Sequence, residues 1–283
     1  VQNIHRLFNK NSIPFFILTL FHFGIVLLML KKRKKKGFWG LLFTNIGFAY
    51  LFEYPTFNLF HGYRYIPHIL KKRPFDNVFG AILSQGIYVP IVATFLTIFQ
   101  KNWRWKISFS FFYFLIEHLF LRIKIYKVYW WKPRYTLIFI SLYFFVSDFI
   151  YKMLAAPKKW AYVLANFQAT QVTWVNIMFV YALFRQIRFG RGRYHTWTEH
   201  FNLIPLYSLV LSLIASITSK KAIINRFLLI GSHYILDKFL IKKGILKLKF
   251  KHVFYHLGWY TIMPFMTRLL KRVINGQPKE STF

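Results

Sequence analysis

Apolar residues in this chain come in long blocks, and the links between the blocks are dominated by Lys and Arg. An α-helix needs about 20 apolar residues, within a range of roughly 17–25, to cross the hydrocarbon of a bilayer. Backbone at that depth has no water to bond, and a helix satisfies its N–H and C=O groups internally. Runs at 14–30, 37–60, 75–99, 107–125, 135–151, 160–184, 201–219 and 222–241 meet or approach that requirement. A ninth, at 253–267, is short for a span and fits a re-entrant or interfacial segment. The pattern predicts an all-α fold: a polytopic transmembrane helix bundle of eight or nine spans, forming a single transmembrane domain over 1–283 with no soluble domain. The longest links, near 61–74, 185–200 and 242–252, are basic and aromatic and are expected to lie along the membrane surface.

Charge narrows the partners. Forty Lys and Arg against seven Asp and Glu give a net charge of +33, spread over nearly every link. No nucleic-acid-binding motif and no soluble domain is present to gather that charge, so anionic lipid head groups are the expected partner and nucleic acid is not. The basic links also hold the mean hydropathy to +0.35 despite 56% hydrophobic residues. Lys and Arg divide almost equally between alternate links, so the positive-inside rule leaves orientation nearly balanced, with the block at 31–36 leaning towards the cytoplasm. That block follows the first run where a signal peptide would carry a small-residue cleavage site, so the run reads as a span. Val1 in place of Met is what a bacterial GTG start read literally would give, and a trimmed chain would give it too. There is no cysteine, which excludes disulfides, thiolate chemistry and Cys-ligated metals.

The acids are the residues most out of place. Glu53, Glu117, Asp148 and Asp237 each interrupt an apolar run, and Asp76 opens another. A carboxylate at membrane depth costs roughly 2.5–3.5 kcal/mol on insertion scales and faces a partner, the bundle interior or water. Asp148 and Lys152 are spaced i, i+4, as are His233 and Asp237, so either pair can share a helix face. His118 beside Glu117 reads as a coupled polar pair. In the run 160–184, Asn166, Thr170, Thr173 and Asn176 fall within an arc of about 120°, with Gln168 and Gln171 on the far side. Such a face serves as interhelical glue or as a cavity wall, and Ser84-Gln85 is a weaker signal of the same kind. The candidate intramembrane polar site is therefore Glu53, Glu117, His118, Asp148, Asn166, Thr170, Thr173, His233 and Asp237.

Other constellations are less specific. His252 and His256 are spaced to share a metal, but no His-Glu-x-x-His pattern exists and ten histidines make one such pair unsurprising. Trp103 and Arg104, and the link carrying Trp130, Trp131, Lys132 and Arg134, have the composition of an interfacial belt in which aromatic rings and cations meet lipid head groups. There is no phosphate loop, no nucleophile elbow and no paired acidic motif for magnesium. Gly190-Arg191-Gly192-Arg193 reads as a flexible basic loop, since no strand is expected before it. No catalytic residue, cofactor or metal is assigned.

The segment Ile116-Glu117-His118-Leu119-Phe120-Leu121, with Ile125-Tyr126-Lys127, Trp130-Trp131-Lys132 and Tyr135-Thr136, resembles a family of uncharacterised multi-spanning membrane proteins of Bacillus-type bacteria, over roughly 75–150. The resemblance implies a bacterial plasma membrane and no particular activity. A second likeness is internal: residues 115–122 read much like 235–242, with Ile125 and Lys127 matched by Ile245 and Lys247. Duplication of helical hairpins is a common origin of transporter folds. Three functions follow in order: a non-enzymatic membrane structural or assembly factor, a transporter or channel with a carboxylate-lined central cavity, and a lipid-modifying membrane enzyme.

Overall fold

A computed structural model describes residues 8–33, 35–192, 194–217, 222–250 and 253–275. Nine helices run through the described residues, one for each apolar run. Three are long and apolar enough to cross a membrane by length and composition: α1 (Ser12–Leu30), α3 (Arg73–Ile98) and α5 (Pro133–Ala155). The others are α2 (Phe38–Glu53), α4 (Trp103–Arg122), α6 (Lys159–Leu183), α7 (Trp197–Ile217), α8 (Ala222–Lys242) and α9 (Val253–Asn275). The last corrects a sequence expectation: α9 continues to Asn275 over 23 residues, because Arg268, Leu269, Leu270, Lys271 and Arg272 extend the helix with good helix formers.

The basic links are not simply surface coil. Four three-residue strands form two antiparallel pairs, β1 (Tyr63–Tyr65) with β2 (Tyr126–Val128) and β3 (Ile187–Phe189) with β4 (Leu246–Leu248). In register, Arg64 faces Lys127 and Arg188 faces Lys247. The strand β3 also removes the reason for dismissing the glycine-rich loop that follows it. His195 still stands where a dinucleotide fingerprint has its third glycine, and Arg193 lies outside the described residues.

The chain packs as two compact units, 1–158 and 159–283. In the first, α3 is the central helix, packed on α1, α2 and α5, while α4 packs on α5. In α1 and α5 only about a quarter of the apolar stretch is buried, whereas two-thirds of that in α3 is. Wide π-helical turns occur at two places, one continuing the end of α2 and one within α3. One, Tyr54–Leu59, contains Pro55, and the other, Leu83–Tyr88, ends just before Pro90. Proline has no N–H to continue the i→i−4 ladder, and a wide turn absorbs the break.

In the second unit α6 packs on α7 and α9, and α8 on α9. Each unit holds the order helix, strand, helix, helix, strand, helix, the first unit having α1 in addition. The agreement extends to hydrogen bonds. Ile66 N–H donates to the Ile125 carbonyl and Gly190 N–H to that of Ile245, both at 2.9 Å. Tyr129 N–H donates to Gly62 and Lys249 N–H to Gln186, both at 2.8 Å. Asn77 Oδ1 accepts from Tyr65 N–H at 2.8 Å, as His200 Nδ1 accepts from Phe189 N–H at 2.9 Å. The internal likeness seen in the sequence is thus a structural repeat of four helices and one strand pair.

Candidate functional site

The first unit holds a half-open cavity of about 360 Å³. Its wall is mostly apolar, built from residues such as Phe15, Leu18, Phe48, Phe120 and Val146. Pockets of roughly 300–1,000 Å³ with a few convergent polar groups are the usual form of a small-molecule site. One end is aromatic. Tyr63, Tyr65 and Tyr126 from the strand pair have ring centroids 5.1–5.8 Å apart, and Trp131 stands 5.5 Å from Tyr63.

Two acids meet this end. Glu53 closes the regular part of α2, 5% exposed, and its Oε2 accepts from the Tyr63 hydroxyl at 2.6 Å. Its Oε1 has no hydrogen bond of ordinary geometry, although the Gln85 side chain bears on the carboxyl. Glu117, on α4, lines the cavity and is 7% exposed. Neither of its carboxyl oxygens has a hydrogen-bond partner, although the hydroxyls of Thr136 and Tyr126 bear on it. Ser84 and Gln85, from the wide turn in α3, complete the polar side. Both wide turns therefore border this site, one following Glu53 and one carrying Ser84 and Gln85.

Asp148 belongs to a different cluster. Its partner is Lys106, reached across helices, and not Lys152, which is exposed one turn along α5. Thr97 donates to Asp148 Oδ1 at 2.7 Å, and its hydroxyl lies 2.9 Å from that of Ser147. Asn45 donates to Ser147 at 3.0 Å and to Thr94 at 2.9 Å. This chain of bonds ties α2, α3, α4 and α5 together and leaves little of Asp148 free for a ligand.

In the second unit Asp237 is fully buried. Trp259 Nε1–H donates to its Oδ2 at 2.7 Å, Tyr207 donates to its Oδ1, and His233 Nε2 stands 3.6 Å away. The rings of Trp174, Trp259 and Tyr260 lie 4.8–5.3 Å from His233, so side chains of this unit fill the space around the acid.

The remaining sequence candidates lie elsewhere. His118 is exposed and bonds the Phe114 carbonyl through Nδ1, at 2.8 Å, and acts on Glu117 through its charge and not through a hydrogen bond. Thr170 bonds its own helix at the Asn166 carbonyl. Asn166 reaches Asn275 on α9 at 3.1 Å, Asn176 bonds the Val172 carbonyl, and Thr173 is half-buried. Gln168 and Gln171, from the far side of the same helix, are 1% exposed. Trp103, Arg104, Trp130, Lys132 and Arg134 are on the surface, as a head-group belt requires. Trp131 is not: it is 6% exposed and donates to Thr136 at 2.9 Å, because the pairing of β1 with β2 turns it against Tyr63 and Phe52. Asp76 holds the loop before α3 by accepting from the backbone of His68, Ile69 and Leu70 at 2.7–2.9 Å. His252 lies outside the described residues, and among these no three of His, Cys, Asp or Glu gather as metal ligands. Tyr63, Tyr65, Tyr126 and Trp131 are the site residues that sequence reasoning missed. Glu53, Glu117 and, more weakly, the Ser84-Gln85 pair are what the sequence signalled of this site. No family model, curated protein or solved structure matches the chain.

Proposed function

We propose that this chain is a multi-pass integral protein of a bacterial plasma membrane, that all nine helices cross the bilayer, and that its first unit binds and carries a small apolar solute. Strand pairing supports the alternation of spans within each unit. Pairing of β1 with β2 requires the links before α3 and after α4 to lie on one face, with α3 and α4 running out and back, and β3 with β4 requires the same of α7 and α8. The apolar outer surfaces of α1 and α5 suit contact with lipid, and the surface Trp, Lys and Arg suit anionic head groups.

The observation that carries the binding reading is the buried carboxyl of Glu117 on the cavity wall, matched by no salt bridge among the described residues. A scaffold would be expected to match each buried acid with a cation, as Lys106 matches Asp148, and Glu53 and Glu117 have no such match among the described salt bridges. The structural or assembly role stays as the second reading, favoured by the bonded clusters at Asp148 and Asp237.

The test is saturable, one-to-one binding of the apolar dye 1-aminoanthracene to the purified protein in nanodiscs, compared with Ala49→Trp, which fills the cavity. Binding that is lost in the variant supports the reading. Absence of saturable binding to the wild type sinks it and leaves the scaffold, whose partner a pull-down would seek.

A further inference from the structure

We infer that the solute is an organic cation, an amine or guanidine carried on an apolar body, with Glu117 as its principal counter-ion. This rests on the binding reading above and follows from the repeat. Glu117 and Asp237 are equivalent, each nine residues before the first residue of the strand that follows. What surrounds them differs position by position.

Trp259, a donor to Asp237, is six residues into α9; six residues into α5 stands Phe139, which has no donor and lines the cavity. Tyr207, the other donor, is ten residues past the start of α7. Ten and eleven residues past the start of α3 come Leu83 and Ser84, where the wide turn begins, and of these Ser84 lines the cavity. Gly62 N–H donates to Thr56, six residues back, and Gln186 N–H to Tyr181, five back, so the wide turn adds one residue to α2. Seven residues before Thr56 and Tyr181 stand Ala49 and Trp174, and Ala49 also lines the cavity.

The second unit thus supplies its acid with two donors and a filling of aromatic rings. In the first unit the same three places hold Phe139, Ser84 and Ala49, which give Glu117 neither of the bonds that Asp237 receives there and leave the volume open, with the hydroxyls of Thr136 and Tyr126 bearing on the acid from the side. A ligand completing the first unit must bring N–H donors to Glu117 and apolar bulk for the space that Trp174 and Tyr207 take up in the second. A second buried carboxyl, that of Glu53, and the rings of Tyr63, Tyr65, Tyr126 and Trp131 favour positive charge on those donors. A bare metal ion is a poor fit. Hard cations take about six to eight oxygen ligands, and this wall is mostly carbon.

The test uses the full chain in nanodiscs with hexylammonium, hexanol and hexanoate, each displacing 1-aminoanthracene. Hexylammonium is expected to bind the wild type about 10- to 100-fold more tightly than hexanol, the range of a charge-assisted hydrogen bond. Glu117→Gln should abolish that preference. Ser84→Tyr should give Glu117 the hydroxyl donor that Tyr207 gives Asp237, keep the fold and lose hexylammonium. Equal binding of hexanol and hexylammonium, unchanged by Glu117→Gln, would overturn the cationic class while leaving a neutral apolar site. Wild-type hexylammonium affinity in Ser84→Tyr would overturn the argument from the repeat. No displacement by any of the three, from a site that holds the dye, also overturns the inference. Failure of the dye itself to bind defeats the binding reading beneath it.

Discussion

Glu117 and Asp237 occupy equivalent positions in two like-built units, yet Asp237 accepts from Tyr207 and Trp259 while neither oxygen of Glu117 has a hydrogen-bond partner. One acid has been absorbed into its unit and the other faces a cavity. The difference should appear directly in stability. Asp237→Ala leaves two buried donors unmatched and is expected to cost about 2–4 kcal/mol. Glu117→Gln removes a charge that no salt bridge among the described residues matches and should fall within about 1 kcal/mol of wild type, or be more stable. Unfolding in mixed micelles measures both, and equal losses would contradict the assignment.

The pair Lys106–Asp148 makes a separate prediction. Breaking a buried ion pair by removing one partner costs roughly 3–5 kcal/mol, whereas replacing both by apolar residues is often neutral. The Lys106 side chain is 4% exposed but that of Asp148 is 32% exposed, so solvent screening lowers the expectation for Lys106→Met to about 2 kcal/mol. Lys106→Met with Asp148→Leu should recover most of that loss. A double-mutant cycle checks the coupling, and a double variant as unstable as the sum of the singles would refute it.

Gly80 allows α3 to lie directly on β1. A Cβ at this position would sit 2.4 Å from the Cβ of Tyr65, an atom close to the backbone that cannot swing away. Gly80→Ala is expected to destabilise by about 1–3 kcal/mol, as overpacking does, and to weaken dye binding by displacing Tyr65 from the cavity wall. A melting temperature and a dye titration read the two effects.

The absence of native cysteine makes the topology easy to probe. Single cysteines at His61 and Lys127, on the links joined by the strand pair, should react with an impermeant maleimide from the same side of sealed vesicles. A cysteine at Lys101, between α3 and α4, should react only from the other side. Labelling of all three from one side would contradict the proposed spans.

At the start of α7, Thr196 and Glu199 cap the helix reciprocally. Thr196 donates its N–H and its hydroxyl to Glu199 Oε2 at 2.7 and 2.9 Å, and Glu199 N–H donates to the Thr196 hydroxyl at 3.2 Å. The N–H and hydroxyl of Thr196 hold the Glu199 carboxyl below its ordinary value of 4.5. A depressed carboxyl contributes stability above its unfolded value and loses it as pH falls through the folded one. Hydrogen exchange in the first turn of α7 should therefore quicken, relative to the rest of the helix, as pH drops below about 4.5, and Glu199→Gln should flatten that dependence.

The nine helices and the acids as anomalies are legible in the sequence, because apolar run length and interruption by charge are properties of consecutive residues. So is the likeness of 115–122 to 235–242. What surrounds each acid is not, because the partner lies on another helix. Lys106 is 42 residues from Asp148, and Tyr207 is 30 from Asp237. The strand pairs are too short to show a period, yet they turn Trp131 inward and bring the tyrosines of separate links to one wall. The sequence by itself determined where the helices run and which residues are costly to bury. Only the tertiary structure decided which of those costs is met within the protein and which is left facing a cavity, since hydrogen bonds and packing depend on neighbours that folding alone brings together.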